Sequence, residues 1–387
     1  MPRIKPSIET FAKIKVIGIG GSGSNAVDHM IERRIQGVEF IAINTDAQDL
    51  HHSRAPIKIH IGKNLTHGLG AGMNPEVGEK AAEESKEEIQ EALKGADMIF
   101  IAGGFGGGTC SGASPVVAEI ADGTGALVVA VITRPFSFEG AHRTRIADEA
   151  FGRIESRVDT LIRISNDKLL SLIDKKTPLL SAFNIVDEVL LQAVQGISDI
   201  ITLPGIVNVD FADVKAIMGQ GGASLLGIGK ASGQERAIEA ARAAMHSPLL
   251  DISIDGAKGL LFNVSGGPDL AMYEINDAAK LITESIDKDA KVIFGAVEDA
   301  RLKKGEIKIT IIATGFDDKP SNTDGELGKN VSNKPLIKTV GAVESFFARE
   351  SKEDKNDKKS ENNVKIEEKK KEESDEWDIP AFLRRKK

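Results

Sequence analysis

Apolar and polar positions follow a regular pattern over the first 175 residues of the chain. Short apolar runs predict strands at residues 14–19, 40–44, 57–61, 98–102, 127–133 and 160–165. Between these runs, apolar residues recur at spacings of three and four, which is typical of helices that bury one face. The predicted helices cover residues 25–34, 75–93, 114–121 and 143–156. Strands that alternate with helices favour right-handed crossovers and a parallel sheet covered on both faces.

A longer helical pattern follows at residues 179–202, and Pro204 and Gly205 predict its end. Beyond it, the chain predicts strands at 260–264, 291–294 and 307–313 and helices at 233–245 and 270–286. These elements alternate less regularly, which favours a mixed sheet. The predicted fold is α/β: a Rossmann-like parallel-sheet domain and a smaller α+β domain, joined by a long central helix.

The end of the chain differs in composition. Between residues 317 and 373, Lys, Glu, Asp, Asn and Ser dominate, so this segment cannot bury enough surface to fold. Ile379, Phe382 and Leu383 then form an apolar face at i, i+3, i+4 spacing, which suits a partner's groove. The predicted organisation is a flexible N-terminus at 1–12, a first domain at 13–178, the central helix at 179–203, a second domain at 204–316, a disordered linker at 317–373 and a terminal peptide at 374–387.

Composition and charge argue against several classes of protein. The 387 residues carry a formal net charge of −8, which argues against general nucleic-acid binding. Cys110 is the one cysteine, so no intrachain disulfide forms and a reducing compartment is expected. No apolar run reaches the roughly 18–20 residues of a membrane span, and residues 1–10 lack the apolar core of a signal peptide. We expect a soluble cytoplasmic protein that does not insert into membranes.

The densest glycine run, at residues 103–112, lies between a predicted buried strand and a helical pattern. Glycine lets successive backbone N–H groups approach a phosphate, and a helix N-terminus adds positive character. Thr109 adds a hydroxyl that can donate to a phosphate oxygen. This run predicts an anion-binding site. The alternative, a flexible loop, conflicts with its place between a strand and a helix.

A second glycine loop follows the first predicted strand, where Gly18, Gly20 and Gly23 match G-x-G-x-x-G. The next strand ends in Asn44 and Asp46, near the place of the ribose-binding acid in dinucleotide-binding proteins. A Rossmann oxidoreductase is therefore an alternative. However, two glycine loops at the carboxyl ends of parallel strands suit one polyphosphate held along its length.

Other segments offer residues for the rest of a nucleotide. Residues 68–72 form a third glycine cluster, which on its own is typical of a turn. Glu139 can accept ribose hydroxyls, although Glu139 and Arg143 also fit an ordinary i, i+4 ion pair. Phe183 and Asp187 share one helix face. A carboxylate there could accept both N1–H and the exocyclic amine of guanine; the alternatives are a core aromatic and a solvated acid.

Two acids follow the long helix, whereas nothing in the first domain resembles a base for phosphoryl transfer to water. Asp210 and Asp213 lie three residues apart at a predicted helix start, which also fits an N-terminal cap with acids that complement the helix dipole. The preceding helix would be roughly 30 Å long. These acids therefore cannot reach a nucleotide bound in the first domain of their own chain.

Together these motifs resemble the FtsZ family, the bacterial tubulin homologues that act as cell-division GTPases. The resemblance covers residues 14–316 and the terminal peptide. It implies a GTP-binding domain and a smaller C-terminal domain with the long helix between them. The segments that carry it are residues 44–46, 68–72, 106–109, 135–140, 208–213 and 378–385.

The resemblance also implies which residues bind GTP or GDP. Glu139 and Arg143 would contact the ribose and the neighbouring phosphate region. Asn166 and Asp187 would bind guanine, with Phe183 against its ring, and Mg²⁺ would bridge phosphate oxygens without an assigned protein ligand. The other implied nucleotide-binding residues lie in or beside the loops: Gly20, Gly21, Ser22, Gly23, Ser24, Asn25, Asn44, Asp46, Ala71, Gly72, Gly104, Gly106, Gly107, Gly108, Thr109, Cys110 and Thr133.

The same resemblance implies an active site shared between subunits. Subunits would stack head to tail, so that Asp210 and Asp213, helped by Asn208, polarise the water that attacks the next subunit's GTP. Such a contact does not close, so it builds filaments. The implied role is the division ring on the inner face of the membrane, with residues 378–387 binding tethering partners of the FtsA or ZipA type. The alternative is a GTP-binding scaffold with little hydrolysis.

Four positions depart from the family's pattern: Ser22, Ser24, Cys110 and Ser114. A helical residue 110 accommodates cysteine, whereas a positive φ there would force the loop to shift. An exposed thiol beside a phosphate and a helix N-terminus would favour the thiolate. The alternative is a small buried hydrophobe.

Overall fold

The computed structural model describes residues 12–170, 177–202, 205, 207, 209–219, 221–247, 254–299 and 301–316. The predicted linker and terminal peptide, residues 1–11, Pro204 and Asn208 lie outside these residues. The strands are β1 Ile14–Ile19, β2 Val38–Asn44, β3 Ile57–His60, β4 Met98–Gly104, β5 Leu127–Arg134, β6 Thr160–Ser165, β7 Gly222–Ser232, β8 Gly259–Gly266, β9 Lys291–Glu298 and β10 Glu306–Thr314. The helices are α1 Gly20–Glu32, α2 Ala47–His52, α3 Lys63–Thr66, α4 Pro75–Glu84, α5 Lys86–Leu93, α6 Gly108–Asp122, α7 Ala141–Glu155, α8 Asn166–Leu170, α9 Leu179–Thr202, α10 Phe211–Met218, α11 Arg236–Met245 and α12 Met272–Thr283.

Within the described residues, the strands form one sheet in the order β3-β2-β1-β4-β5-β6-β7-β10-β8-β9. The pairs from β3 to β7 are all parallel. β10 is antiparallel to both β7 and β8, while β8 and β9 are parallel. The predicted α/β fold is confirmed, and the second half of the chain has the mixed sheet that its irregular pattern indicates.

Aliphatic side chains fill the core around the central strands. Every residue of β1 is buried, as are all but the last residue of β4 and of β5. Helices α1, α6 and α9 pack against these strands. Burial on both faces explains why the strands read as continuous apolar runs rather than as alternating ones. No helix in the described part of the chain has the length and apolar character of a membrane span.

Some element boundaries differ from the prediction for identifiable reasons. α1 begins at Gly20 and α6 at Gly108, so residues 20–23 of the first glycine loop and the second half of the run at 103–112 belong to the first turns of helices. The predicted helix at 75–93 is two helices, α4 and α5, which are separated at Ser85. Glycine-rich and polar first turns lack apolar periodicity, so the pattern places the helix starts too late.

The sequence pattern misses β7 because glycines interrupt its apolar run. Packing requires two of these glycines: a Cβ atom at Gly227 would overlap the backbone oxygen of Ala244, and one at Gly229 would overlap that of Ala240. Both alanines belong to α11, which therefore lies directly against the strand. A glycine inside a strand commonly marks such a close approach.

The central helix α9 has the predicted bounds and runs from one edge of the sheet to the other. Near its start, the Phe183 ring packs against Phe136, which follows the carboxyl end of β5, with ring centroids 5.6 Å apart. At its other end, a Cβ atom at Gly37, just before β2, would lie 2.7 Å from Thr202 Cγ2. The 24 residues of α9 span about 36 Å. The helix therefore connects the carboxyl edge of the sheet to its amino edge.

The contact between α4 and α6 determines where the second glycine loop lies. A Cβ atom at Gly112 of α6 would overlap the carbonyl oxygen of Pro75 and lie 2.7 Å from Glu79 N. Backbone atoms cannot move aside as the end of a flexible side chain can, so a side chain at 112 would push the two helices apart.

We expect Gly112→Ala to lower the free energy of unfolding by about 1–3 kcal/mol, since it forces overpacking between two backbones. Urea denaturation measures this change. Gly152→Ala in α7 is the matched control, because Gly152 is also helical but a Cβ atom there meets nothing within 4 Å. That control should raise the free energy of unfolding by about 0.5–1 kcal/mol. Equal effects of the two substitutions would contradict the packing argument.

Candidate nucleotide-binding site

Two helix N-termini meet at the carboxyl edge of the sheet. β1 runs directly into α1, and β4 turns through residues 105–107 into α6. The Gly104 N–H donates to Ser22 Oγ at 2.8 Å, and a Cβ atom at Gly20 would lie 3.4 Å from the Cys110 nitrogen. The first turns of both helices therefore adjoin, and their unpaired N–H groups and dipoles favour an anion there.

The glycines of these loops serve two different purposes. A Cβ atom at Gly18 would overlap the carbonyl of Gly23, and one at Gly23 would lie 2.7 Å from Ala102 O, so these two glycines allow close packing. Gly106 has a φ of 101°, which residues with side chains rarely adopt. Gly107 instead leaves space, since a Cβ atom there meets nothing within 4 Å. The first turns of α1 and α6 thus form a phosphate cradle whose open part is at Gly107. The G-x-G-x-x-G match is largely a packing motif.

The third glycine cluster lies beside the start of α6. A Cβ atom at Gly108 would lie 2.9 Å from Ala71 Cβ, whereas one at Gly72 meets nothing within 4 Å. Asp46 forms an isolated bridge with Leu69, which holds the cluster against the end of β2. Residues 68–72, which on sequence grounds alone are typical of a turn, therefore form a third side of the same cradle.

Two residues to which the sequence analysis assigns no role in the site, Thr45 and Asp49, support these loops. Thr45 Oγ1 lies 2.6 Å from Thr109 Oγ1, which orients the threonine at the start of α6. Asn44 Nδ2 donates to Asp49 Oδ2 at 2.6 Å, and Asp46 caps α2 by accepting from two of its N–H groups. Burial and the nearby charge of Asp46 raise the pKa of Asp49. An acid one turn after Asp46 was the available sequence signal for Asp49.

Cys110 is helical and only 4% exposed, so of the two alternatives the small buried hydrophobe is confirmed and the exposed thiolate is wrong. Its Sγ lies 3.4 Å from Ser114 Oγ, and burial raises the pKa of the thiol to about 12. Ser24 is also buried, and its Oγ has no hydrogen-bond partner within the described residues. Ser22 and Asn25 of the same turns are exposed. The four positions that depart from the family's pattern thus all lie within α1 or α6.

The turn after β5 holds the acid at position 139. Glu139 Oε2 pairs with Arg143 Nη1 at 2.6 Å, and Oε1 accepts from the Phe136 N–H at 2.9 Å. The i, i+4 ion pair is therefore present, and both oxygens keep lone pairs that ribose hydroxyls could use. Thr133 is buried. It lies next to Gly104 of the second loop, where a Cβ atom would be 2.9 Å from Thr133 Oγ1.

Unsatisfied acceptors lie near the starts of α8 and α9. Asn166 is buried, and its Oδ1 has no partner within the described residues. The Ser137 N–H donates to Asp167 Oδ1 at 2.8 Å, which joins the turn after β5 to α8. Phe183 is 40% exposed, and one turn further along α9 burial raises the pKa of Asp187 to about 7. The N1–H and amine of guanine are the kind of donors that such acceptors lack.

The acids at positions 210 and 213 lie far from the glycine loops. Asp210 caps α10 by accepting from the Ala212 N–H at 3.2 Å, and Asp213 follows in the first turn; both are exposed. Further along α10, Lys215 Nζ donates to the carbonyl of Gly125, just before β5, at 3.5 Å. The predicted alternative, in which Asp210 caps the helix, is therefore confirmed. The structure places these acids at the amino edge of the sheet.

The residues near α2 fit a cation that is held mainly by phosphates. In the described part of the chain, no three His, Cys, Asp or Glu side chains converge to hold a metal ion. Asp49 nevertheless faces the first loop, since a Cβ atom at Gly21 would lie 3.5 Å from its Oδ2. Mg²⁺ typically uses one or two carboxylates together with substrate phosphates and water. Asn44, Asp46 and Asp49 provide oxygen atoms for that arrangement.

Comparison with known proteins decides the family. Residues 13–174 match the model of the Tubulin/FtsZ family, GTPase domain, and residues 222–317 match that of the FtsZ family, C-terminal domain. The solved structure of a point mutant of FtsZ from M. jannaschii is 46% identical, over 80% of this chain and 92% of that chain, with a TM-score of 0.76. The chain belongs to the FtsZ family.

Other solved structures agree with this placement. The empty FtsZ dimer of M. jannaschii is 44% identical over 85% of this chain and 96% of that chain, with a TM-score of 0.78. CetZ1 from Haloferax volcanii is 22% identical over 88% of this chain and 99% of that chain, with a TM-score of 0.70, and shows the fold alone. As a member with the family's GTPase domain, the chain is a GTPase that binds GTP and GDP. The oxidoreductase alternative is wrong.

Proposed function

We propose that this chain forms head-to-tail filaments and hydrolyses GTP at the contact between successive subunits, as the cytoskeletal element of a bacterial division ring. One observation supports this most: exposed Asp210 and Asp213 lie at the amino edge of the sheet, while the glycine loops lie at its carboxyl edge. The eight residues of β5 alone separate these edges by about 26 Å. The acids of one subunit can therefore serve only the nucleotide of another.

In the proposed complex, phosphates lie against the N–H groups that begin α1 and α6. Gly107 and Gly72 leave the required space, since a Cβ atom at either meets nothing within 4 Å. Mg²⁺ would neutralise phosphate charge there, and Asn44, Asp46 and Asp49 would hold it through their oxygen atoms or through water.

Asp210 and Asp213 polarise and position the attacking water of the neighbouring subunit's site. Asp210 uses Oδ1 to cap α10, which leaves Oδ2 as an acceptor for water. An exposed carboxylate can accept a hydrogen bond from water without a large desolvation cost. Asn208, proposed to help them, lies outside the described residues.

Exposed apolar side chains around the glycine loops support self-association. Leu69 is 86% exposed and Phe138 is 62% exposed. Large apolar side chains grouped around a polar site are typical of a surface that a partner covers. The related FtsZ of M. jannaschii was solved as a dimer.

The proposal also covers the C-terminal peptide and the place of the filament in the cell. Residues 378–387 bind membrane-tethering division proteins of the FtsA or ZipA type, which hold the filament at the division site on the cytoplasmic face of the membrane. The support is the apolar spacing of Ile379, Phe382 and Leu383, followed by a basic run at 384–387.

We expect GTP turnover per subunit to rise steeply above a threshold protein concentration, because each active site needs two chains. Phosphate release and light scattering, recorded together over a dilution series, measure the two thresholds. The scattering threshold should coincide with the onset of turnover. Turnover per subunit that stays constant down to strictly monomeric protein would contradict the shared site.

A further inference from the structure

A histidine in the last turn of α1, His29, contacts the first half of α9. His29 lies one helical turn after Asn25, on the same face of α1. Its Nε2 is 3.0 Å from Glu188 Oε2 of α9. Glu188 directly follows Asp187, the residue proposed to accept the donors of guanine. His29 therefore reaches the segment of α9 that carries the proposed guanine-binding acid.

The ion pair between His29 and Glu188 is partly buried and well supported. Glu188 is 8% exposed; Arg33 Nη2 lies 3.5 Å from its Oε2, and Gln192 Nε2 donates to its Oε1 at 3.1 Å. Burial alone would raise the pKa of Glu188, but the hydrogen bond with His29 and the charge of Arg33 lower it. The same hydrogen bond raises the pKa of His29 against the opposing effect of burial. Glu188 therefore favours a positively charged His29.

Asp187 lies within the electrostatic influence of that charge. Burial raises the pKa of its carboxyl to about 7, and the charge of His29 acts in the opposite direction. Only the ionised carboxylate can accept both the N1–H and the amine of guanine, because a protonated carboxyl uses one oxygen as a donor.

The two acids of α1 are engaged elsewhere. Asp28 accepts from Ser53 Oγ at 2.8 Å and from the Arg54 N–H at 2.7 Å, and Glu32 pairs with Arg54. The strands β2 and β4, which also pack on α1, contribute the uncharged residues 40–44 and 98–104. The charged groups that act on the imidazole are Glu188 and Asp187 of α9 and Arg33 at the end of its own helix.

We propose that His29 is a positioning residue of the guanine site: its imidazolium, held by Glu188, keeps the neighbouring Asp187 ionised so that the base can bind. The inference rests on the proposed role of Asp187. It makes guanine-nucleotide affinity depend on pH through two groups on facing helices, neither of which contacts a phosphate.

Wild-type protein should bind GDP about tenfold more weakly at pH 6 than at pH 8, as expected when an acid of pKa about 7 must ionise. His29→Asn removes the nearby positive charge, which should raise the pKa of Asp187 by about one unit. Affinity at pH 7 should then fall about fivefold, while the two proteins agree within about twofold at pH 8.5. Titration with a fluorescent GDP analogue from pH 6 to 8.5, using the full chain, measures both profiles.

Further variants separate charge from packing. His29→Lys keeps the positive charge and should keep wild-type affinity at pH 7. Glu188→Gln should shift the profile in the same direction as His29→Asn. Asp187→Asn cannot ionise, so its profile should be flat, and adding His29→Asn to it should change affinity by less than about twofold. His246→Asn, at an exposed histidine after α11, is the matched control and should leave the profile unchanged.

Two results would overturn the inference: a His29→Asn profile that overlays the wild type, or a loss of equal size at every pH, which indicates a packing role. Urea denaturation of each variant shows whether a loss of GDP affinity comes from unfolding. If His29→Asn is unfolded, the pH profile of GDP affinity for Glu188→Gln tests the inference instead. Failure of the proposed role of Asp187 has a different signature, because Asp187→Asn would then bind GDP as wild-type protein does at every pH.

Discussion

An Asp210→Ala chain should bind GTP as wild type does and hydrolyse it at least about a hundredfold more slowly, the usual scale for loss of a residue that activates water. Asp210 is exposed and lies at the edge of the sheet opposite the loops, so its removal leaves the pocket intact. Loss of its cap on α10 costs only about 1 kcal/mol of stability. Phosphate release above the assembly threshold and binding of a fluorescent GDP analogue measure the two properties separately.

Mixing two inactive chains tests whether the site is shared. Gly107→Asp places a carboxylate in the open part of the cradle, where it repels phosphate, and leaves the acids at 210 and 213 intact. Mixed with Asp210→Ala, it should restore turnover, because the intact pocket of one chain meets the intact acids of the other. Asp122→Ala, at an exposed acid at the end of α6, is the control that should change nothing. A mixture as inactive as its components would contradict hydrolysis between subunits.

Asp187→Ala should weaken GTP binding by about a hundredfold and remove most of the preference for GTP over ATP. The base loses an ionised acceptor for two donors, and hydrogen bonds to a charged partner contribute about 1.5–3 kcal/mol each. Competition of GTP and ATP against a fluorescent GDP analogue measures both effects. Asp187→Asn keeps one acceptor oxygen and should be intermediate. A variant that still prefers GTP as strongly as wild type would show that Asp187 does not bind the base.

Stability provides the control for this substitution. The pKa of Asp187 is raised from 3.8 to about 7 in the folded chain, so between these values the folded state binds the proton more tightly than the unfolded state. Asp187 therefore lowers the free energy of unfolding as pH rises from about 4 to about 7. Asp187→Ala lacks this penalty. At about pH 7.5 it should unfold at the same urea concentration as wild type or at a higher one.

The elements with the strongest periodicity were predictable from the sequence. β1, β6 and α9 have the predicted bounds, since uninterrupted apolar runs and a sustained three- and four-residue spacing leave little choice of structure. β7 was not predictable, because its glycines are explained by the backbone of α11, a contact that local spacing does not reveal. The breaks and starts of helices at Gly20, Ser85 and Gly108 were missed for a related reason, since none carries an apolar side chain.

The loops that form the candidate site were predictable from the sequence. The contacts and protonation of individual side chains in it were less predictable. For two acids, the purely structural alternative is observed: Glu139 forms an ion pair with Arg143, and Asp210 caps a helix. Neither contact uses all the lone pairs of its carboxylate, so a structural contact does not argue against a functional one. The fate of Cys110 depended on helix packing, which buries it and keeps the thiol neutral.

By itself, the sequence determined the parallel α/β architecture, the glycine-rich loops at strand ends and the length of the central helix, because local spacing and backbone freedom specify these features. Only the tertiary structure decided that Thr45 braces Thr109, that Asp49 holds Asn44 and that His29 reaches Glu188. It also decided that the acids after α9 lie at the opposite edge of the sheet from the phosphate cradle. Most of these relations join residues far apart in the chain, and only the packing of helices against a common sheet sets the distances between them.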